Sequence, residues 1–427
     1  MKKTITLFML LCAITSVAQS PRFEDFFTHK TLRVDYLFSG NKHQQEISIA
    51  NIYQLDKWAG RHHNLDKLPL KGYGEVCMTD FETRQIIYRT SFSTLFQEWL
   101  TTDEANNTRK GFENTYLFPF PLKKVIIEVK LYGDHGEQTA YMKHSINPED
   151  ILIKKIKHNT PEHKYILSNG TPEECIDIAI LAEGYTADEK EIFYNDARIT
   201  CESIFEHEPF KHLKNKFNVV AVASTSAESG VSIPRKQEWK KTAFGSHFDT
   251  FYSERYLTTG EVFEIHNTLS NIPYEHIIIL ANTDTYGGGG IYNAFTLTTA
   301  HHEMFKPVVV HEFGHSFGGL GDEYFYEDDL FSNTSQTKYE PWEPNVTTLV
   351  DFENKWKDML PENSEIPSKE TPSEPYKIGV YEGARYSAHG VYRPAYDCRM
   401  KTNTATQFCP VCQRAIERII NFYTENK

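Results

Sequence analysis

The sequence predicts a multidomain α+β protein in which an amino-terminal all-β sandwich precedes an α/β domain. Two residue patterns predict this class. From about residue 31 to residue 167, short runs alternate apolar and polar residues between turn signals, as in antiparallel β-sandwiches. After Gly170 the apolar runs become continuous and a long helical pattern separates them, as in a layered α/β domain. A chain of 427 residues is long enough for two such domains.

Residues 1–18 are predicted to be a signal peptide. Lys2 and Lys3 precede the apolar run 5–17, and small residues end at Ala18, as at a cleavage site. No later run is long and apolar enough to span a bilayer. The sequence therefore predicts an exported protein without a membrane span, located in the periplasm, at the cell surface or outside the cell.

Residues 19–168 are predicted to form the β-sandwich. Leu32, Val34 and Tyr36 alternate with polar residues before a turn, and further runs of the same kind follow along the chain. The helical candidate in this part, near residues 92–100, is too short to organise a core.

Residues 169–427 are predicted to form the α/β domain. Residues 175–182 are a nearly continuous apolar run, which is typical of a strand buried on both faces. Thr186 and Glu189 form a capping-box pattern at the start of a helix. The apolar stripe of that helix consists of Phe193, Ala197, Cys201 and Ile204. The other predicted elements are buried strands at 217–223 and 276–281, a loop-rich insertion at about 325–375 and a terminal helix at 412–423.

Four glycines at residues 287–290 precede the alternating run 291–299, which predicts an edge strand. Two interpretations are open. The first is a flexible loop beside an ordinary strand, and the second is an unpaired strand edge that holds an extended peptide by main-chain hydrogen bonds. The glycine run lacks the Lys and Ser/Thr of a phosphate-binding loop, so we do not expect nucleotide binding.

The chemical motif of the chain is His-Glu-x-x-His at residues 311–315. A helix advances 3.6 residues per turn, so His311 and His315 lie on one face and can direct two imidazole nitrogens at one ion. Two neutral imidazoles at this spacing suit Zn²⁺. Glu312 lies beside the first ligand and is well placed to take a proton from a water held by the ion. It is therefore the candidate general base.

The third metal ligand is predicted from the turn that follows the motif. Gly318 and Gly319 allow the helix to end and the chain to double back. In metzincin peptidases the last ligand falls ten residues after the first histidine. That position is Gly321 here, which has no side chain to donate. We predict Asp322 as the third ligand, with Glu323 as the reserve.

The segment 311–324 and two later segments, 390–400 and 408–412, resemble the M64 family of zinc peptidases. The resemblance covers essentially the whole chain after the predicted signal peptide. It implies an amino-terminal all-β domain followed by a metzincin-like zinc-peptidase domain, with Met400 in a turn beneath the metal.

The reaction that these residues imply is hydrolysis of a peptide bond by metal-activated water. Glu312 takes the proton of the water and later delivers it to the leaving amine. A further group must stabilise the tetrahedral oxyanion. Tyr392 is the candidate, with Tyr396 as an alternative, because both are near Met400 in sequence; the other interpretation is that they are packing residues. The expected partner is a protein or peptide substrate.

The charge and the motif limit the other functions. A formal charge of −13 argues against nucleic acid as a partner. One alternative is an exported binding protein, in which zinc is structural and the β-domain performs the recognition. The presence of Glu312 argues against it, because a structural site needs no base. A zinc hydrolase that acts on a non-peptide bond is the other alternative. The sequence indicates neither the substrate protein nor an oligomeric state.

Six cysteines follow the predicted signal peptide, an even number in a compartment that permits disulfides. Cys398, Cys409 and Cys412 are close in sequence, and we expect a disulfide among them. Cys409 and Cys412 also have the spacing of half a zinc site, but no second pair of cysteines or histidines stands nearby at the usual spacing.

Overall fold

The computed structural model describes residues 20–155, 159–326 and 338–425 of the chain. The predicted signal peptide, residues 1–18, lies outside the described residues, and so does part of the predicted insertion at about 325–375. Both therefore stay predictions.

Two antiparallel sheets form the amino-terminal part of the molecule. Their strands are β1 (Phe27–Gly40), β2 (Gln45–Leu55), β3 (Gly74–Asp80), β4 (Ile86–Phe92), β5 (Lys110–Pro121), β6 (Val125–Tyr132) and β7 (Gln138–Ile146). The first sheet has the strand order β2-β1-β5, and the second has the order β4-β3-β6-β7. Two short helices accompany the strands, namely α1 (Phe23–Phe26) and α2 (Leu95–Trp99).

The inward faces of the two sheets share one apolar core. In β1 the alternate residues Leu32, Val34, Tyr36 and Phe38 are all fully buried in this core. Alternate residues of β6, from Val125 to Leu131, enter it from the second sheet. Because successive side chains of a strand point to opposite faces, alternation in sequence becomes one apolar face per sheet. The predicted all-β sandwich is confirmed.

A mixed six-stranded sheet organises the rest of the chain. Its strands are β8 (His163–Leu167), β9 (Ile176–Glu183), β10 (Phe217–Val222), β11 (His276–Ala281), β12 (Gly288–Ile291) and β13 (Phe295–Thr299), in the order β12-β13-β11-β9-β10-β8. The four inner strands are parallel, and the two outer strands, β12 and β8, are antiparallel to their neighbours. β8 belongs to this sheet although it precedes residue 169, the predicted start of the domain. A short hairpin of β14 (Tyr381–Ala384) and β15 (Ser387–Arg393) lies apart from the sheet.

Helices cover both faces of the six-stranded sheet. They are α3 (Lys190–Phe205), α4 (Val262–Thr268), α5 (Phe305–Ser316) and α6 (Pro410–Thr424). Ile178 and Ile180 of β9 point to the face that carries α3, α5 and α6, whereas Ala179 and Leu181 point to the face that carries α4. This two-sided burial confirms the α/β layer that the continuous apolar run predicts. No helix within the described ranges is both long and apolar enough to cross a membrane.

The edge strand of this sheet is β12, which consists mainly of the glycine run. The prediction of an edge strand at residues 291–299 is therefore wrong. β13 lies inside the sheet, between β12 and β11. A Cβ atom on Gly290 would lie 2.2 Å from the main-chain oxygen of Glu312, and only glycine permits that approach. A bridge between Tyr256 and Gly288 covers part of the outer edge of β12.

A buried ion pair joins the amino-terminal sheets to the second part of the chain. The Arg33 side chain is 1% exposed, and its Nε atom donates to Asp35 at 2.7 Å. The same guanidinium donates to the side chain of Asn267 at 2.9 Å and to the main-chain oxygen of Phe263 at 3.1 Å, both in α4. Arg33 therefore satisfies acceptors on both sides of this contact.

The substitution Arg33→Met should lower the free energy of unfolding by about 3–5 kcal/mol, because the buried Asp35 would lose its positively charged partner. Urea unfolding of the full chain measures this change. The matched control is Arg22→Met, which removes a pair with Asp25 at the surface and should leave the unfolding midpoint unchanged. Equal midpoints for the two variants would contradict the importance of the buried pair.

Candidate metal centre and active site

Helix α5 positions the two histidines of the motif. His311 and His315 lie one turn apart, and the apolar residues of α5 anchor the helix in the core that it shares with the sheet, α3 and α6. Met400 packs directly beneath the helix, since a Cβ atom on Gly314 would lie 2.6 Å from its sulfur. The two imidazoles therefore project from a helix that is held on its buried side.

The chain reverses after α5 and returns to the histidines. Gly319 has a φ of +58°, a left-handed conformation that glycine adopts without strain. The main-chain oxygen of Leu320 accepts a hydrogen bond of 2.6 Å from Nδ1 of His315, which fixes the start of the return segment. Asp322 then reaches the open side of the two imidazoles.

Three ligand atoms meet at this point. Oδ1 of Asp322 lies 3.2 Å from Nε2 of His311 and 3.1 Å from Nε2 of His315, and the two Nε2 atoms are 3.1 Å apart. Ligand atoms at about 2.0–2.1 Å from a tetrahedral ion lie about 3.3 Å from one another. A carboxylate oxygen of Glu312 is also near, within 4.8 Å of the ligand atoms of both histidines. The carboxylate of Asp322 is closer, within hydrogen-bond distance of both, and is therefore the better third ligand.

The protonation of the imidazoles makes this a cation site. Nδ1 of His311 donates to the main-chain oxygen of Arg399 at 3.0 Å, and Nδ1 of His315 donates to Leu320, so both ring protons sit on Nδ1 when the rings are neutral. Both Nε2 atoms then face Asp322 with lone pairs. Oδ1 of Asp322 is itself buried without a hydrogen-bond donor. Three acceptors at this distance need a cation between them, so these residues fit a metal ion.

In the metal-free centre a proton on His315 can supply the positive charge. Burial alone would raise the pKa of Asp322, yet His315 and His311 hold it well below its usual range. Burial lowers the pKa of His315, but the charge of Asp322 outweighs burial and raises it to about 9. Burial raises the pKa of Glu312, while both histidines oppose that shift. The site therefore favours a positive charge beside Asp322.

Glu323, the reserve ligand, points away from the histidines. It is fully buried, and its Oε1 atom accepts a hydrogen bond of 2.9 Å from the side chain of Asn345. Adjacent residues of an extended segment point to opposite sides, which separates Glu323 from Asp322. Of the two carboxylates that the sequence offers, the structure brings Asp322 to His311 and His315.

Tyr386 lies beside the centre, although sequence reasoning missed it. Its hydroxyl donates to Oδ2 of Asp322 at 2.6 Å, and the hydroxyl of Tyr324 donates to Tyr386 at 3.3 Å. Arg385 and Tyr386 form the two-residue turn of the β14–β15 hairpin, with φ values of 47° and 66°. Such a turn usually carries Asn-Gly, so a bulky pair gave no local signal. Positive φ at a tyrosine is a strain that functional sites retain.

Tyr392, the predicted oxyanion group, lies elsewhere on the hairpin. Its main chain pairs with Thr347 in both directions. Burial and then the charge of Glu382 raise its pKa, whereas Asp322 acts on the pKa of Tyr386. The structure does not bring Tyr392 to the three ligand atoms, and its catalytic role stays a prediction.

A short helix of the amino-terminal part, α2, contributes a carboxyl group close to the centre. The hydroxyl of Tyr256 donates to Oε2 of Glu98, a residue of α2. Burial raises the pKa of Glu98 to about 7, and the charges of His315, Glu312 and Asp322 also act on it. The sequence carries no signal for this contact, because the two partners are far apart along the chain.

Comparison with known families supports the fold and the site together. A family model described as IgA Peptidase M64 matches residues 165–374 and 368–420, which include the whole metal centre. A second model, described as the Peptidase M64 N-terminus, matches residues 22–142 in the β-sandwich. A search of curated proteins found no match. The family suggests a metallopeptidase, and the described residues include the groups that can hold the metal.

Asp322→Asn should remove the ion from this centre, because the substitution replaces the anionic ligand by a neutral amide. Elemental analysis of the purified full chain measures bound metal. The matched control is Asp284→Asn at an exposed carboxylate, which should keep the metal content of the wild type. Unchanged metal content in Asp322→Asn would rule out this carboxylate as a ligand.

Proposed function

The chain belongs to the M64 family of peptidases, and on this premise we propose that it is an exported zinc-dependent endopeptidase with Glu312 as the general base. The observation that carries the proposal is the convergence of Nε2 of His311, Nε2 of His315 and Oδ1 of Asp322. Two imidazoles and one carboxylate leave a fourth position free, as in catalytic zinc sites. When bound, zinc polarises a peptide carbonyl and lowers the pKa of a water.

Glu312 has the position and the environment of a base. It follows His311 on α5, and its side chain lies against the glycine strand, since a Cβ atom on Gly288 would lie 3.2 Å from its Oε1 atom. Burial raises its pKa, which makes the carboxylate a better proton acceptor than an exposed one. In the proposed reaction Glu312 takes one proton from the attacking water and delivers it to the nitrogen of the leaving amine.

Tyr386 is proposed to position Asp322. Its hydroxyl holds one carboxylate oxygen, Oδ2, and leaves the other, Oδ1, directed at the histidines. Partners of this kind orient metal ligands and tune their basicity. Export is proposed from the leader pattern of residues 1–18 and predicts a mature chain that begins at Gln19.

Glu312→Gln should keep the metal and lose about 10²–10⁴-fold in kcat, because the amide cannot accept the proton. Cleavage of a mixed peptide library, followed by mass spectrometry, measures activity and defines the cut sites, while elemental analysis measures bound zinc. If wild type and variant cut the same peptides at the same rate, Glu312 is not the base. If both hold zinc and neither cuts, the binding-protein alternative replaces the peptidase.

Tyr386→Phe should lower zinc affinity or kcat by about 10–100-fold, because Asp322 loses the hydrogen bond that orients it. Tyr392→Phe, on the same hairpin, is the matched control and should stay within about twofold of the wild type in both quantities, since its ring does not meet Asp322. Zinc competition with a chelating dye and steady-state peptide cleavage separate the two effects. A loss in Tyr392→Phe without a loss in Tyr386→Phe would contradict the positioning role of Tyr386 and support the predicted role of Tyr392 at the oxyanion.

A further inference from the structure

A second group of side chains that could hold a metal ion lies close to the first centre. Glu323, Cys398, Cys409 and Cys412 are all fully buried, and their ligand atoms lie within 4.8 Å of one another. All six cysteines in the described ranges are free, so the disulfide expected among Cys398, Cys409 and Cys412 is wrong. The cluster therefore consists of three thiols and a carboxyl group.

The sulfur separation matches a shared ion. Sγ of Cys398 lies 3.8 Å from Sγ of Cys412, whereas a disulfide bond is about 2.05 Å long. Two sulfurs that each bind a tetrahedral Zn²⁺ at about 2.3 Å are about 3.8 Å apart. Cys409 and Cys412 are separated by two residues, the usual spacing of a zinc-binding pair.

Glu323 has an unpaired oxygen in this cluster. Its Oε1 atom accepts from Asn345 and lies 3.1 Å from Sγ of Cys412. Its Oε2 atom is buried and has no hydrogen-bond partner among the residues that the structure describes. A buried carboxylate oxygen without a donor is destabilising, and a cation in the cluster would compensate for it.

The local main chain also favours thiolates at this point. Cys409 precedes the first turn of α6 and Cys412 lies within that turn, where the positive end of the helix stabilises negative charge. The main-chain N–H of Cys409 also donates to Sγ of Cys398 at 3.2 Å. Three thiols and a carboxylate thus meet at one helix start.

We propose that Glu323, Cys398, Cys409 and Cys412 form a second, structural site for Zn²⁺ or a similar thiophilic divalent ion. Binding releases the thiol protons to solvent and forms metal–sulfur bonds, with no change of oxidation state. All four ligands come from the protein, as in closed structural sites. The ion joins the segment that carries Asp322, the segment that carries Met400 and the start of α6.

Zinc-edge X-ray absorption of the wild-type full chain tests this proposal without a substitution. We expect a sulfur shell at about 2.3 Å together with the nitrogen and oxygen ligands of the first centre. In Asp322→Asn the first ion is lost, so the remaining zinc should show mainly sulfur ligands. A spectrum with nitrogen and oxygen ligands alone would overturn the proposal.

Cysteine variants supply a second readout. Cys409→Ser should lower bound zinc by one ion per chain. The control is Cys201→Ser, which changes a buried cysteine of α3 outside the cluster and should keep the wild-type content.

Alkylation of the denatured wild type without reductant should label every cysteine of the mature chain once zinc is chelated. A disulfide among the three clustered cysteines would overturn the proposal.

The two proposals fail separately. The sulfur shell is measured without any peptide, so its absence would remove the second site and leave cleavage by the first centre untouched. If the sulfur shell is present and no peptide is cut, the peptidase function fails and the structural site stands.

Discussion

The molecule depends on three acceptor atoms that face one another in a buried space. Nε2 of His311, Nε2 of His315 and Oδ1 of Asp322 are about as close as ligands of one ion, and each imidazole already uses its proton elsewhere. Such an arrangement is repulsive without a cation. The surrounding elements explain why it persists: the buried helix fixes the two histidines, and the left-handed Gly319 returns the carboxylate to them.

Local patterns predicted most of the fold, because the sequence contains both kinds of strand pattern, alternating apolar residues and continuous apolar runs. Alternation in β1 and the continuous apolar run of β9 each follow from which faces are buried. The edge strand β12 shows where this reasoning fails. A run of glycines has no apolar pattern and favours a loop, and only its contact with Glu312 explains why a strand without side chains is needed there.

In the candidate site, too, local patterns predicted some residues and missed others. His311 and His315 are spaced by one helical turn and Glu312 is adjacent to His311, so local geometry predicted these three residues together. The glycine turn brought Asp322 and Glu323 into consideration as the third ligand, and the structure brings Asp322 to the histidines. Tyr386 was not predictable, since its approach depends on an unusual hairpin turn that docks on the return segment. The spacing of Cys409 and Cys412 gave a partial signal for the thiol cluster, but its fourth member, Glu323, comes from a distant segment. The contact of Glu98 likewise joins distant segments, and single-sequence patterns carry no information on such contacts.

Asp322 and Glu323 show how one short segment serves two buried sites. Each is a carboxylate, yet the extended chain turns one toward the imidazoles and the other toward the thiols. The segment belongs to no helix or sheet. Its main chain is held by hydrogen bonds, from the Glu323 N–H to the oxygen of Met400 and from the N–H groups of Arg385 and Tyr386 to the oxygens of Asp322 and Tyr324. Ligation of Glu323 on the inner side would fix the position of Asp322 on the outer side. A metal ligand on a loop needs such support, because small displacements at a catalytic centre cost large factors in rate.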